Sequence, residues 1–402
     1  MGATAEPDGD GIPWRSGALY VVLASSLIGV MGISLISPVI PDIRGAFGIS
    51  DAEVGLVITA YTLPGVFLTP FVGLVADRLG RRRVIVPLLL LFGGAGASIS
   101  FAGTFAEVVA LRFLQGVGGS ALIAIAITLI GDYYEGARQD SVIGLNGSTI
   151  GIGAAFYPLV GGALASVRWS APFLFFGVAV LVGIVAAYVL EEPALDQPAD
   201  VRTYLAGLRD VMLLPRAMVI FAILVVVLFV FYGGILTALP LLLRDQYGLP
   251  ASSIGLLLSV NAVTVATVSA LYGRIAAWRS VTTLFGLGFG AIGVGFLGLW
   301  AAPGPTAMAL VMPAFGTGIG LMMPTIDKAL IGIGPGEFRA GVFGVRTSML
   351  RVGQTLGPVG FTTAAETAFA SPLEGYRLLL LGTGVGMLVL SLGTGLLVVR
   401  GE

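Results

Sequence analysis

An all-α integral membrane protein is predicted, with twelve transmembrane helices in two six-helix, pseudo-symmetric halves. Three observations predict it. First, 56% of the 402 residues are apolar and the mean hydropathy is +1.00, far outside the range of soluble domains. Second, apolar runs of about 20 residues, the length that crosses a hydrocarbon core as a helix, recur from end to end. Third, those runs are continuous rather than alternating, so they read as helices and not as strands of a barrel.

Residues 1–16, "MGATAEPDGDGIPWRS", form an acidic, Gly- and Pro-containing tail. No basic region precedes the first apolar run, so no cleavable signal is expected. Six runs follow at 17–40, 52–74, 83–102, 105–131, 140–165 and 169–190, making an N-terminal half, 17–190. The longest polar interruption, 191–216, opens with "EEPALDQPADVRTYLAGLRD" and reads as a linker with a short amphipathic helix near 201–214. Six more runs at 217–243, 251–273, 281–301, 305–331, 341–366 and 375–399 make a C-terminal half, 217–399, before a tail at 400–402.

Basic residues fall mainly in the even-numbered gaps: Arg78, Arg81, Arg82 and Arg83 after the second run, Arg138 after the fourth, and Arg202, Arg209 and Arg216 after the sixth. The odd-numbered gaps carry only Arg44, Arg168, Arg244 and Arg377. Basic loops stay inside, so both termini are expected to be cytoplasmic and the protein to be a multi-pass plasma-membrane protein. Cysteine and histidine are absent, which excludes disulfides and the usual transition-metal ligands. No metal and no cofactor are expected, and a net charge of −1 gives no reason to expect a nucleic-acid partner.

Sliding the second half over the first at a constant offset of 200 superposes specific residues. Arg44, Gly48, Gly55, Leu56 and Gly73 meet Arg244, Gly248, Gly255, Leu256 and Gly273. Gly116, Gly118, Gly144, Ser148, Gly153 and Pro158 meet Gly316, Gly318, Gly344, Ser348, Gly353 and Pro358. An ungapped register shared by two separated blocks predicts duplication into parallel repeats, one of the arrangements that build secondary transporters.

Charge concentrates in "GLVADRLGRRRV", Gly73 to Val84, between the second and third runs. The loop resembles a signature of the major facilitator superfamily, G-x-x-x-D-[RK]-x-G-[RK]-[RK], with Gly73, Asp77, Arg78, Gly80, Arg81 and Arg82 filling every position. The resemblance implies a conformational latch. Asp77 would approach the start of the eleventh helix, near Arg339, and hold the outward-open state, with Asp132 joining the network. Topology-setting charge is the plainer alternative. At the equivalent place in the second half Ala277 stands where the first half has Asp77, so one copy is expected to act as the switch.

Two further stretches carry the resemblance. "RFLQGVGGS", Arg112 to Ser120, is similar to the family's R-x-x-x-G motif, which implies a place for Arg112 near the proton and substrate path. Gln115 lies on the same helical face. The alternative is an arginine snorkelling to the outer boundary. "GAAFYPLVGG" resembles the antiporter signature G-x-x-x-G-P-x-x-G-G, with Gly153, Pro158, Gly161 and Gly162 in place and Tyr157 standing for the glycine before proline. The eleventh run repeats it as Gly353, Gly357, Pro358 and Gly360. These residues are expected to pack helices closely and to bend a gate, although small residues pack most membrane helices.

An ionisable group inside a membrane helix is a functional candidate by default. Besides Arg112, those candidates are Asp42, Asp327, Arg346 and Arg351. Asp42, after the prolines of "SPVIP", is expected to touch outer water; Asp327 and Arg346 are expected to pair, either structurally or as a proton-responsive unit. Ser34, Tyr61, Tyr157, Tyr232, Asn261 and Gln354 are candidate cavity residues, with Met322, Met323 and Phe229 to Tyr232 adding a soft aromatic surface. No G-x-x-x-x-G-K-[ST] occurs and no nucleophile–base motif is present, which argues against an ATP-driven pump and against an enzyme. The resemblance, over about residues 17–399, implies a monomeric secondary transporter similar to the 12-helix drug/proton antiporters, expelling amphipathic small molecules against proton entry across the bilayer. A transporter of a specific metabolite, a sugar or organic anion, and a non-transporting receptor or scaffold are the competing readings.

Overall fold

The computed structural model describes residues 12–192, 214–331 and 339–401. Within helices, the side chains at 70, 73, 74, 77, 339–341, 395 and 397–401 lie outside the described set. The expected linker helix near 201–214 lies almost wholly outside it too.

Twelve long helices follow in chain order: α1 Gly17–Phe47, α2 Asp51–Leu79, α3 Arg81–Phe101, α4 Phe105–Tyr133, α5 Gly136–Ala165 and α6 Ala171–Val189, then α7 Pro215–Tyr247, α8 Ala251–Ala276, α9 Val281–Ala301, α10 Pro305–Ile331, α11 Arg339–Thr367 and α12 Pro372–Gly401. Eleven carry a stretch long and apolar enough to cross a membrane. The remaining one, α11, is as long but less apolar, because Arg346, Arg351, Gln354 and several threonines fall along it. No strand occurs among the described residues.

Local chemistry sets the breaks. Ser50 caps α2 by a reciprocal box: its hydroxyl accepts from the Glu53 amide at 3.2 Å while the Glu53 carboxylate accepts from the Ser50 amide at 2.8 Å. Thr104 caps α4 through the Glu107 amide. Gly48 and Gly248 close α1 and α7 at φ 61° and 65°, the left-handed conformation that glycine adopts without a Cβ penalty. Both helices are also irregular at matching depth. Pro38 and Pro41 impose a 3₁₀ turn at Ser37–Val39 in α1, and a π-helical stretch at Phe231–Ala238 precedes Pro240 in α7.

Contacts obey the offset of 200 throughout. A Cβ on Gly55 would meet the Pro358 carbonyl oxygen at 3.3 Å, and one on Gly255 would overlap the carbonyl of Pro158. Gly116 faces the Tyr61 backbone and Gly316 that of Asn261; Gly118 faces Phe92 and Gly318 faces Ile292. The halves are therefore pseudo-symmetric copies. Two seams join them, α2 along α11 and α5 along α8, and the repeat exchanges one seam for the other. The remaining large contacts, α2 with α4, α3 with both α4 and α6, α7 with α11, α8 with α10 and α9 with both α10 and α12, lie within a half.

Candidate functional site

At the end of the bundle where α1 meets α2 and α7 meets α8, charges pair across the halves. The Arg44 guanidinium forks onto Asp245, with one Nη1 bond of 2.9 Å, and also reaches Asp51. Arg244, its repeat equivalent, pairs with Asp42. Asp51 in turn accepts from the Tyr376 hydroxyl at 2.9 Å, and Glu366 accepts from the Ala52 amide at 2.8 Å. Beneath this layer the Ser37 hydroxyl donates to the Leu236 carbonyl at 2.6 Å. Further along the α2–α11 seam Thr59 donates to the Thr355 carbonyl, and the Thr355 and Thr62 hydroxyls bond at 2.9 Å. Asp42 faces a guanidinium across the halves, and 23% of its side chain is exposed.

The opposite end pairs charges inside each half. Arg81 forms an ion pair with Asp132, and Arg82 donates to the Ala187 carbonyl while its amide faces Glu192. Gly80, at φ 101°, makes the sharp turn between α2 and α3 that brings these arginines round, and a Cβ there would collide with the Glu192 carboxylate. Arg78 is exposed. The side chains of Gly73 and Asp77, and those at the start of α11 expected to receive Asp77, lie outside the described residues. In the second half Arg346 forks onto Asp327, Nε to Oδ1 at 2.8 Å and Nη2 to Oδ2 at 3.2 Å. The sequence anticipated that pair. Exposed Phe67, Phe71, Val75 and Leu79 line the last turns of α2, where no cross-half hydrogen bond is present among the described residues.

Between the ends lie two Arg-x-x-Gln clusters. Arg112 on α4 is wholly buried, donating Nε to the Val57 carbonyl at 2.9 Å, Nη2 to the Gly32 carbonyl at 2.8 Å and Nη1 to Gln115 Oε1 at 2.7 Å. Its guanidinium carbon sits 4.5 Å from the centre of the Tyr61 ring. It does not snorkel: its donors are aimed inward at α1 and α2, and Gly116 lets α4 approach α2 closely enough for this. The second cluster, on α11, links Arg351 Nη1 to Gln354 Oε1 at 3.1 Å and Gln354 Nε2 to the Tyr232 hydroxyl at 2.7 Å. Arg351 Nη2 points across the seam to the Ser120 carbonyl at 3.5 Å.

The other expected cavity residues are less uniform. Tyr61 and Asn261 are buried, with the Tyr61 hydroxyl and Asn261 Oδ1 lacking a hydrogen bond among the described residues. Ser34 is half-buried on α1, and Tyr157 is buried edge-on to Phe175. The glycines of the two proline motifs are packing surfaces. Gly161 and Gly162 abut the Leu35 and Ala251 carbonyls, Gly153 abuts Leu27, Gly353 abuts the Val225 carbonyl, and a Cβ on Gly357 would come within 2.5 Å of the Phe229 carbonyl. Pro158 and Pro358 expose the carbonyls that receive Gly255 and Gly55.

Sequence reasoning missed the sealed end. Arg44 and Arg244 were evident only as loop charges and as a repeat coincidence; Asp51, Asp245, Glu366 and Tyr376 were not singled out. The available signal was an acid beside each member of a repeat-matched arginine pair.

Residues 22–358 match the family model for the Major Facilitator Superfamily. The chain is 30% identical to the "Multidrug efflux protein YfmO" of Bacillus subtilis (strain 168), covering 94% of this chain and 93% of that protein. It is 27% identical to the "Bacillibactin exporter" of the same organism, over 85% and 88% of the two chains. Among solved structures, a bacterial homologue of the human lysosomal transporter Spinster in an inward-facing, unoccupied conformation superposes with a TM-score of 0.82 at 18% identity, over 97% and 98% of the chains. Duplicated six-helix halves, two exchanged seams and these matches agree: the chain belongs to the Major Facilitator Superfamily and is a secondary transporter.

Proposed function

We propose that the protein exports amphipathic, drug-like molecules across the plasma membrane by alternating access, driven by proton entry, and that it works as a monomer without catalysing a reaction on its cargo. The reading rests on the reciprocal Arg44–Asp245 and Arg244–Asp42 pairs, which seal one end while the other end keeps its charges within each half. The basic loops lie at the unsealed end, and the positive-inside tendency supports reading that end as cytoplasmic, both termini as inside and the state as inward-facing. The efflux names carried by relatives that align along most of the chain support the direction of transport.

In this reading the cycle exchanges one set of charge contacts for another. Rocking the halves outward breaks the pairs at Arg44 and Arg244. Asp77 then engages the start of α11, with Gly73, Arg78, Gly80, Arg81, Arg82 and Asp132 shaping the loop that presents it. Asp327 and Asp42 are the carboxylates for proton coupling, each facing an arginine that stabilises its charged form. Protonation weakens that partnership and so biases the equilibrium between states. The test is purified protein in proteoliposomes with an imposed pH gradient and a panel of fluorescent amphipathic dyes. Dye movement against its own gradient, abolished by a protonophore, supports the reading; movement indifferent to the pH gradient removes the proton coupling.

A further inference from the structure

Among the described residues, three guanidinium groups, those of Arg112, Arg346 and Arg351, stand seven or more residues inside a membrane helix, no carboxylate does, and Arg346 is paired with Asp327. Asp42, Asp327 and Glu366 all lie near helix ends. A charge at that depth is costly unless it is countered. Arg112 is countered inside the protein, by three hydrogen bonds and the face of the Tyr61 ring. Arg351 is not. It stands twelve residues past Arg339 in the 29-residue α11 (351 − 339), and no acid forms an ion pair with it among the described residues. One Nη1 bond to Gln354 is well made, the Nη2 contact to Ser120 is long at 3.5 Å, and Nε is buried without a hydrogen-bond partner.

We propose that the exported compound is an amphipathic organic anion whose carboxylate docks on Arg351, with the Gln354–Tyr232 pair holding the guanidinium in place. The inference rests on the export reading and gives its cargo a charge. Gln354 occupies Nη1, which leaves the Nε–Nη2 edge, two parallel donors matched to the two oxygens of a carboxylate. In the inward-facing contact that edge lies against the backbone of Gly65, where a Cβ would be 2.9 Å from Nε, and against the Ser120 carbonyl, both in the other half. A carboxylate therefore replaces a cross-half contact, so cargo binding acts on the same seam that rocking opens. The apolar part of the cargo has part-buried aromatic surface beside the site in Tyr232 and Phe231, whose rings lie 5.3 Å apart, backed by the fully buried Phe315 and Phe296. A cationic cargo would meet the like charge of Arg351, with which no acid pairs among the described residues.

The experiment uses the purified full-length protein and three probes sharing one fluorophore: dansylglycine (anionic), dansylamide (neutral) and dansylcadaverine (cationic). Binding is read from probe fluorescence in detergent, and flux in proteoliposomes. Wild type is expected to bind dansylglycine at least about tenfold more tightly than dansylcadaverine, the scale of one charge-assisted fork. Arg351→Gln is expected to remove that preference while changing dansylamide affinity less than about twofold, and Arg351→Lys to keep an intermediate preference. A purely structural arginine would weaken all three probes alike. That result, preference for dansylcadaverine, or unchanged dansylglycine affinity in Arg351→Gln overturns the proposal. If Arg351→Gln aggregates, Tyr232→Phe is measured instead, with a loss confined to dansylglycine expected. Dansylglycine binding without flux keeps the anion site and removes the export reading. Flux of dansylcadaverine alone keeps export and removes the anion site.

Discussion

Both ends of the bundle pair arginine with aspartate, and they use the pairs differently. At the Arg44 end, arginine and aspartate from opposite halves interlock, and the repeat makes the arrangement reciprocal. At the Arg81 end, Arg81–Asp132 and Asp327–Arg346 each stay inside one half. Like side chains therefore serve as a bolt at one end and as internal bracing at the other. What decides the role is whether the partner belongs to the same rigid body. A bolt biases an equilibrium between states, whereas bracing changes the stability of one half.

The strongest challenge to this contrast is to remove both bolts at once. Asp42→Asn with Asp245→Asn is expected to lower transport about 100-fold, because losing two part-buried ion pairs shifts the population by several kcal/mol. The chain has no native cysteine, so a single Ser37→Cys, buried at this end, reports opening by thiol labelling from outside. Labelling that stays slow in the double variant would mean the pairs do not hold the end shut. A charge swap sharpens the same point: Asp42→Arg with Arg244→Asp should recover flux to within about threefold of wild type, a coupling that neither single change reproduces.

Smaller effects are expected at the other end. Asp77→Asn should slow transport about tenfold with normal membrane insertion, and it should reduce Ser37→Cys labelling by favouring the inward-facing state. Wild-type flux would remove the latch assignment. Asp327→Asn should cost about fivefold in flux and lower thermal stability, since it leaves Arg346 part-buried without its acid. A shift in the pH dependence of flux, beyond the stability loss, distinguishes a proton-coupling role from bracing. Arg78→Ala, at an exposed position, should change flux less than about twofold, as surface charges do.

The fold was legible because hydropathy and glycine register are local, repeating signals. Twelve runs became twelve helices, and the offset of 200 located real contacts such as Gly55 on Pro358 and Gly255 on Pro158. The ends of runs were less legible. The sequence suggests that the first helix stops near residue 40, yet α1 continues to Phe47, and Asp42 and Arg44 in this extension find partners across the interface. The second run likewise extends past 74 to Leu79. At the site, Arg112 with Gln115 and Arg346 with Asp327 were readable from helical spacing and depth. The sealed end was not, since a sequence shows which residues are charged but not which half will present the counter-charge. Arg351 was visible as a charge; that no acid pairs with it among the described residues became apparent only when its neighbours were placed.

The two glycine-to-carbonyl contacts, Gly55 on Pro358 and Gly255 on Pro158, bring helix backbones close together, with the Thr362 hydroxyl beside the first. Two such points define a line about which the proposed rocking would tilt the lobes. Gly55 lies 24 residues from Leu79 (79 − 55) on one continuous helix, a lever of roughly 36 Å at 1.5 Å per residue. A tilt of about 15°, of the size seen in rigid-body switches, would sweep its tip through roughly 9 Å. In the proposed cycle such a fulcrum would turn a small loosening at one mouth into a wider opening at the other.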